Sequence, residues 1–237
     1  MFKLIRHALS MIGLSLIKGL YNTPSAERDR IIRLAFKYVG DERVYGDYFE
    51  FGVYKGRTFT YAFHAINREK HNCLLYAFDS FKGFPEPDNI DKVFERFKEG
   101  EASSGQEYFM RYLRKHKVDI NLVTVVPGWF DDTLTQQTRE KLGLKRASVI
   151  YIDCDMHKST VPVLAFIRPL LQDGTVLLFD DWFCYRADPG KGQRRAVSEW
   201  LERFPEITLI EWRKFAIVGQ SFIVNIKGHI QGNGDDG

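Results

Sequence analysis

Three acid-bearing turns are the first places in the chain where chemistry could reside. "FEFGVYKG" sets Glu50 just before Gly52 and Gly56, "YIDCD" carries Asp153 and Asp155, and "LLFDD" ends in Asp180 and Asp181. Carboxylates accept hydrogen bonds from sugar hydroxyls, accept protons, and offer hard oxygen ligands to cations. If the apolar runs ending at Ile152 and Phe179 are neighbouring strands, they lie about 4.8 Å apart, which brings Asp153 close to Asp180. Asp181 adds a third acid. Like charges at that range raise one another's pKa unless a cation intervenes. A partly hydrated Mg²⁺ held by one or two carboxylates suits this donor set. Consecutive aspartates also form turns and cap helices, but convergence of acids from separate segments favours the ion. Asp155 reads as a helix-start residue or one standing behind the ligands.

Two further turns belong with these. "DSFKGFP" opens with Asp79 at the end of another apolar run, where an acid can accept from both hydroxyls of a ribose or can form a turn. "PGWFDDT" follows the third run along the chain. The pattern E-x-G-x-x-x-G is longer than the G-x-G-x-x-G dinucleotide fingerprint and has only two glycines. Alone it is equally well a plain strand-to-helix bend. His157 and His64 are alternative bases that ordinary packing or solvation also explains. Lys55, Lys82 and Arg57 could meet an acidic acceptor or simply cover a solvated helix face.

Elements that would hold these turns alternate along the chain. Apolar spacing predicts a helix from a cap at Ser25 to about Val39. Strands are expected at Asp47–Phe51, Cys73–Phe78, Asn121–Val126, Ala147–Ile152 and Thr175–Phe179. Helices are expected near Thr58–Arg68, Leu134–Leu142 and Thr160–Leu171, with a charged helical region from Ile90 to Lys117. Runs apolar on both faces, alternating with helices, argue a mostly parallel sheet covered on both sides. "ITLIEWRKFAIVGQSFIVNI" leaves no room for a crossover helix, so it should form an antiparallel hairpin. The organisation expected is a helical extension over residues 1–40, a catalytic domain over 41–228 and a flexible tail over 229–237.

Composition narrows the classes. Lys and Arg total 34 against 31 Asp and Glu, interspersed, giving a net charge of +3; no basic stripe points to nucleic acid. Cys73, Cys154 and Cys184 are far apart without a C-x-x-C pair, which fits a reducing, cytoplasmic setting. "MFKLIRHALSMIGLSLIKGLY" is too short and too interrupted by charge to span a bilayer. Its spacing of Phe2, Ile5, Leu9, Ile12, Leu16 and Leu20 predicts an amphipathic helix, packed on its own domain or on a second copy in a homo-oligomer. A membrane-surface role is the lesser reading.

Taken together, "FEFGVYKG", "FDSFKGFPEP", "VPGWFDDTL", "IDCDMHKSTVPVL", "GTVLLFDDW" and "GQRRAVSEW" resemble the macrocin O-methyltransferase family, enzymes that methylate sugar hydroxyls on natural products. The resemblance covers roughly Asp47 to Trp200. It implies a class I methyltransferase sheet of seven strands, the last inserted antiparallel, with S-adenosylmethionine and Mg²⁺ as cofactors and a glycoside or other small molecule as acceptor. It also implies that Glu50, Gly52 and Gly56 form the turn at the methionine end of the cofactor. Asp79 and Ser80 would hold the ribose, and Gly128 and Trp129 would lie toward the adenosine. Asp153, Asp180 and Asp181 would ligate the ion, Asp153 serving also as base. This chain departs from its relatives in Cys154, His157 and "YKG", and the lid and N-terminal segments match poorly. Two other classes remain: a nicotinamide-dependent oxidoreductase, against which the missing third glycine and the acid trio weigh, and a non-catalytic protein of the same fold acting as a partner or membrane-surface module.

Overall fold

The computed structural model describes residues 23–92 and 97–227. The amphipathic helix expected at the N-terminus and the tail expected over 229–237 lie outside the described residues. Helix α1 (Pro24–Asp41) starts at Thr23, not at Ser25: Thr23 Oγ1 accepts the Ala26 N–H at 3.2 Å, and Pro24, which has no N–H to satisfy, takes the first helical position. The remaining elements follow as β1 (Asp47–Phe51), α2 (Arg57–Arg68), β2 (Leu75–Asp79), α3 (Gln106–Lys115), β3 (Val123–Pro127) and α4 (Phe130–Thr133). After these come α5 (Gln136–Leu142), β4 (Ala147–Ile152), α6 (His157–Ile167), β5 (Val176–Phe179), α7 (Gly192–Arg203), β6 (Ile207–Phe215) and β7 (Gly219–Ile226).

One expectation fails in the middle of the chain. Among the described residues, helix occupies only Gln106–Lys115 of the region from Ile90 to Lys117. Gly100 and Gly105 sit at φ 77° and 69°, a left-handed backbone that terminates helix and favours glycine.

Seven strands lie in the order β3-β2-β1-β4-β5-β7-β6. The first five are parallel; β7 is antiparallel to both β5 and β6, so the expected hairpin forms and inserts its second strand next to β5. Strand side chains alternate between faces. Tyr48, Tyr151 and Leu178 pack toward α1, α2 and α3, whereas Phe49, Ile152 and Phe179 face α6 and α7. On the second face Phe51, Phe78 and Phe166 form an aromatic cluster with ring centroids 4.9 to 6.1 Å apart. All three are fully buried, and each contributes roughly 1.5–3 kcal/mol by leaving water.

Sequential strands run outward from β1 in one direction and from β4 in the other. The crevice beyond their carboxyl ends is the point where such sheets take ligands.

Candidate active site

A cavity of about 500 Å³ opens at that crevice, bordered by Gly52, Tyr54, Asp79, Ser80, Trp129 and Asp153 among others. Its volume falls within the ordinary range for small-molecule sites. Of the residues singled out in the sequence, Gly52, Asp79, Ser80, Trp129, Asp153, Cys154 and Asp155 therefore meet there.

The turn after β1 is shaped by contact with its neighbour. Gly52 has φ 86°, and a Cβ at that position would stand 1.9 Å from the Asp153 carbonyl oxygen. Only glycine permits this approach. Gly56, at φ 82°, is pressed instead by the Phe109 ring of α3. Gly128, at φ 140°, lies against Thr133. Both shape turns behind the cavity wall.

Asp79 binds those turns together. Its Oδ2 accepts the N–H groups of Val53 and Tyr54 at 2.8 and 3.0 Å, and Oδ1 accepts the Phe81 N–H at 2.7 Å. The turn-forming reading of Asp79 is thus realised. A carboxylate has about four lone-pair directions, so acceptor capacity remains toward the cavity. Ser80 Oγ donates to the Gly83 carbonyl at 3.0 Å.

Glu50 lies behind the turn, fully buried, accepting from Tyr48 Oη and Thr58 Oγ1 at 2.5 Å each. Burial pushes its carboxyl up to about 8, in spite of those two hydrogen bonds.

At the ends of β4 and β5, carboxylate oxygens of Asp153, Asp155 and Asp181 all lie within 4.8 Å of one another. Asp153 borders the cavity, and no hydrogen bond reaches its side chain among the described residues. Burial, followed by the charges of Asp180, Asp181 and Asp155, raises its pKa well above the carboxylate range. Asp181 is raised too, by burial and then by Asp155 and Asp180. Hard oxygens crowded together with proton affinities this high are what a divalent ion would relieve; the donor set fits Mg²⁺. Asp155, read from sequence as a helix-start residue or one standing behind the ligands, stands inside the trio, held by its N–H donating to Asp181 Oδ2 at 3.1 Å.

Asp180 faces elsewhere. Val176 and Leu178 point toward α1, and the same alternation carries Asp180 to that side. There Arg28 of α1 donates from Nε to Oδ1 and from Nη2 to Oδ2, both at 2.7 Å, while Tyr151 Oη donates to Oδ1 at 2.7 Å.

Sequence reasoning missed three supporting residues. Arg28 sits in a helix read only for its apolar spacing. Asp91 is 1% exposed and accepts from the N–H groups of His157 and Lys158 and from Tyr185 Oη; it caps α6 from a segment distant in sequence. Gln193 of α7 accepts the Asp181 N–H and donates to the Ile152 carbonyl, joining the two strand ends. The candidate bases are engaged elsewhere. His157 Nε2 pairs with Glu199 at 2.8 Å, and His64 Nε2 lies 3.1 Å from the His116 carbonyl. Arg57 pairs with Asp29 at 2.7 Å.

The family model described as macrocin-O-methyltransferase (TylF) matches residues 22–203. The chain is 26% identical over 166 residues to mycinamicin III 3''-O-methyltransferase of Micromonospora griseorubida, covering 67% of this chain and 61% of that protein. It is 27% identical over 144 residues to 8-demethyl-8-(2,3-dimethoxy-alpha-L-rhamnosyl)-tetracenomycin-C 4'-O-methyltransferase of Streptomyces olivaceus, covering 58% and 53%. The matches therefore span less than two thirds of the length of these curated relatives. Among solved structures, the O-methyltransferase NovP superposes with TM-score 0.68 at 22% identity, covering 84% of this chain and 79% of its own. The calicheamicin methyltransferase CalS11 gives 0.66 at 22%, covering 82% and 77%. These likenesses establish the class I methyltransferase fold.

Proposed function

The chain belongs to the macrocin O-methyltransferase family, and on that premise we propose that it transfers a methyl group from S-adenosylmethionine to a hydroxyl of a sugar or glycosylated natural product, assisted by Mg²⁺. The observation that carries this reading is the meeting of Asp153, Asp155 and Asp181 within 4.8 Å at the edge of the cavity that Gly52, Asp79 and Trp129 border.

S-adenosylmethionine supplies a methyl group activated by its sulfonium charge. A bound divalent ion supplies positive charge that lowers the pKa of an acceptor hydroxyl. The chain contributes placement. The backbone of Gly52 and Tyr54 receives the methionine end of the cofactor. Asp79, braced by three backbone N–H groups, holds ribose hydroxyls beside Ser80. Trp129 offers an aromatic face to the adenosine. Glu50, Gly56 and Gly128 act from behind by fixing the turns. Asp153, facing the cavity with no hydrogen-bond donor on its side chain and a raised proton affinity, takes the hydroxyl proton onto a carboxylate oxygen, while Asp155 and Asp181 complete the ligand set. Holding nucleophile and methyl group in line is the largest service such a site can perform.

The family match leaves the nicotinamide reading without an observation in its favour. Three buried cysteines, none in a disulfide, support a reducing, cytoplasmic setting, and pairing of two copies through the N-terminal residues is the oligomer we propose. Calorimetry with S-adenosylhomocysteine and MgCl₂, paired with mass-spectrometric detection of methyl transfer to a panel of glycosides, tests the function. Binding of both and loss of transfer in excess chelator are expected. Unimpaired transfer in chelator would remove the ion from the mechanism, and tight NADH binding without S-adenosylhomocysteine binding would overturn the donor.

A further inference from the structure

The bidentate contact between Arg28 and Asp180 has more to it than an anchor for α1. That helix is already held by a buried apolar face comprising Ile31, Ile32, Ala35, Phe36 and Val39, and by Arg57, which pairs with Asp29 and donates to the Ser25 carbonyl. Docking does not need a buried carboxylate as well. Asp180 is 3% exposed, yet the guanidinium that reaches it remains 26% exposed. Both oxygens of Asp180 are engaged, by Arg28 and by Tyr151. Four carboxylates (Asp153, Asp155, Asp180 and Asp181) stand at one sheet end, and one of them, Asp180, already holds a cation that is a side chain of the chain itself.

We infer that Arg28 is a resident counter-charge that competes with a divalent ion for this acid cluster, so that ion affinity and the seating of α1 oppose each other. The inference rests on the divalent site proposed above. A guanidinium fixed on one carboxylate repels a second cation arriving at its neighbours, and Asp180 can turn toward the ion only by releasing Arg28. Linkage then requires reciprocity: whatever Arg28 takes from the ion's affinity, the bound ion takes from the hold of Asp180 on α1.

The sign of the effect separates this from a structural tie. Removing a simple anchor would loosen the site and weaken ion binding; removing a competitor strengthens it. The test is calorimetric titration of the full chain with MgCl₂, as wild type, Arg28→Gln and Arg28→Lys, with thermal unfolding to confirm that each variant folds. Arg28→Gln should bind Mg²⁺ about tenfold or more tightly. Arg28→Lys, which keeps the charge but loses the planar fork, should fall between it and the wild type. Hydrogen exchange in the first turns of α1 should accelerate severalfold when Mg²⁺ is added to the wild type and stay unchanged in Arg28→Gln. Equal or weaker Mg²⁺ binding by both variants would overturn the inference while leaving the divalent site standing. No Mg²⁺ binding by wild type or variants at millimolar concentration would remove the site and the inference together.

Discussion

Asp79 and Asp153 end strands on opposite sides of β1, and both border the same cavity, but they have been treated very differently by the chain. Asp79 collects three backbone N–H groups. Asp153 collects none, and it faces Asp155 and Asp181 instead. A carboxylate held by backbone amides is complete and can serve as a fixed wall for a neutral ligand such as a ribose. One crowded by like charges is incomplete and stays so until a proton or a cation arrives. The cavity thus has a finished half and an unfinished half, which is the division a two-substrate reaction requires.

The largest effect should come from the unfinished half. Asp153→Asn is expected to lower methyl transfer by about 10²–10⁴-fold and weaken Mg²⁺ binding, with the melting temperature unchanged or raised, because the crowding of acids is relieved. A kinetic assay beside thermal unfolding checks this; near-normal transfer would show that Asp153 is not the base. The next effect lies where the halves touch. Gly52→Ala forces a Cβ onto the Asp153 carbonyl at a left-handed φ and should cost about 3 kcal/mol or more, measured by urea unfolding. A loss below 1 kcal/mol would mean that the two turns can separate.

Asp79→Asn tests the finished half. It replaces acceptor oxygen with a donor facing backbone N–H groups, so roughly 1–3 kcal/mol of stability should go, with weaker S-adenosylhomocysteine binding and unaltered Mg²⁺ affinity. Parallel loss of both affinities would contradict the division. The smallest effect concerns Glu50, whose carboxyl is pushed up to about 8 by burial. Between the ordinary carboxylate range and about pH 8 the folded state keeps a proton that the unfolded chain releases, so stability should fall as pH rises through that window. Glu50→Gln should flatten the decline, seen as a smaller drop in melting temperature between pH 6 and pH 8.5.

Much of this was legible in advance. The alternation of apolar runs predicted the parallel strands within a few residues, and the hairpin followed from the missing crossover. Neighbouring strand ends bring acids of both turns together, but the pair expected to meet is Asp153 with Asp180; the structure sets Asp181 and Asp155 beside Asp153 instead. What could not be read was which way each acid turns. The alternation that sends Leu178 toward α1 sends Asp180 there too, but nothing in the spacing of α1 identifies Arg28 as the residue waiting for it. Asp155 joins the cluster through a left-handed backbone at φ 56°, which sequence pattern rarely signals for an aspartate. Asp91 was hidden by a charged stretch that mimics a helix, and its role as a cap depends on a contact 66 residues away.

The position of β7 has one more consequence. It fills the gap between β5 and β6, so the sheet is closed from within by a strand that the ribosome makes after both its neighbours. Until it arrives, the run ending at Asp180 presents a bare row of amide and carbonyl groups, the kind of surface that recruits strands from other molecules. A stop codon in the turn before β7 would therefore yield a sticky, self-associating product rather than a slightly shorter enzyme.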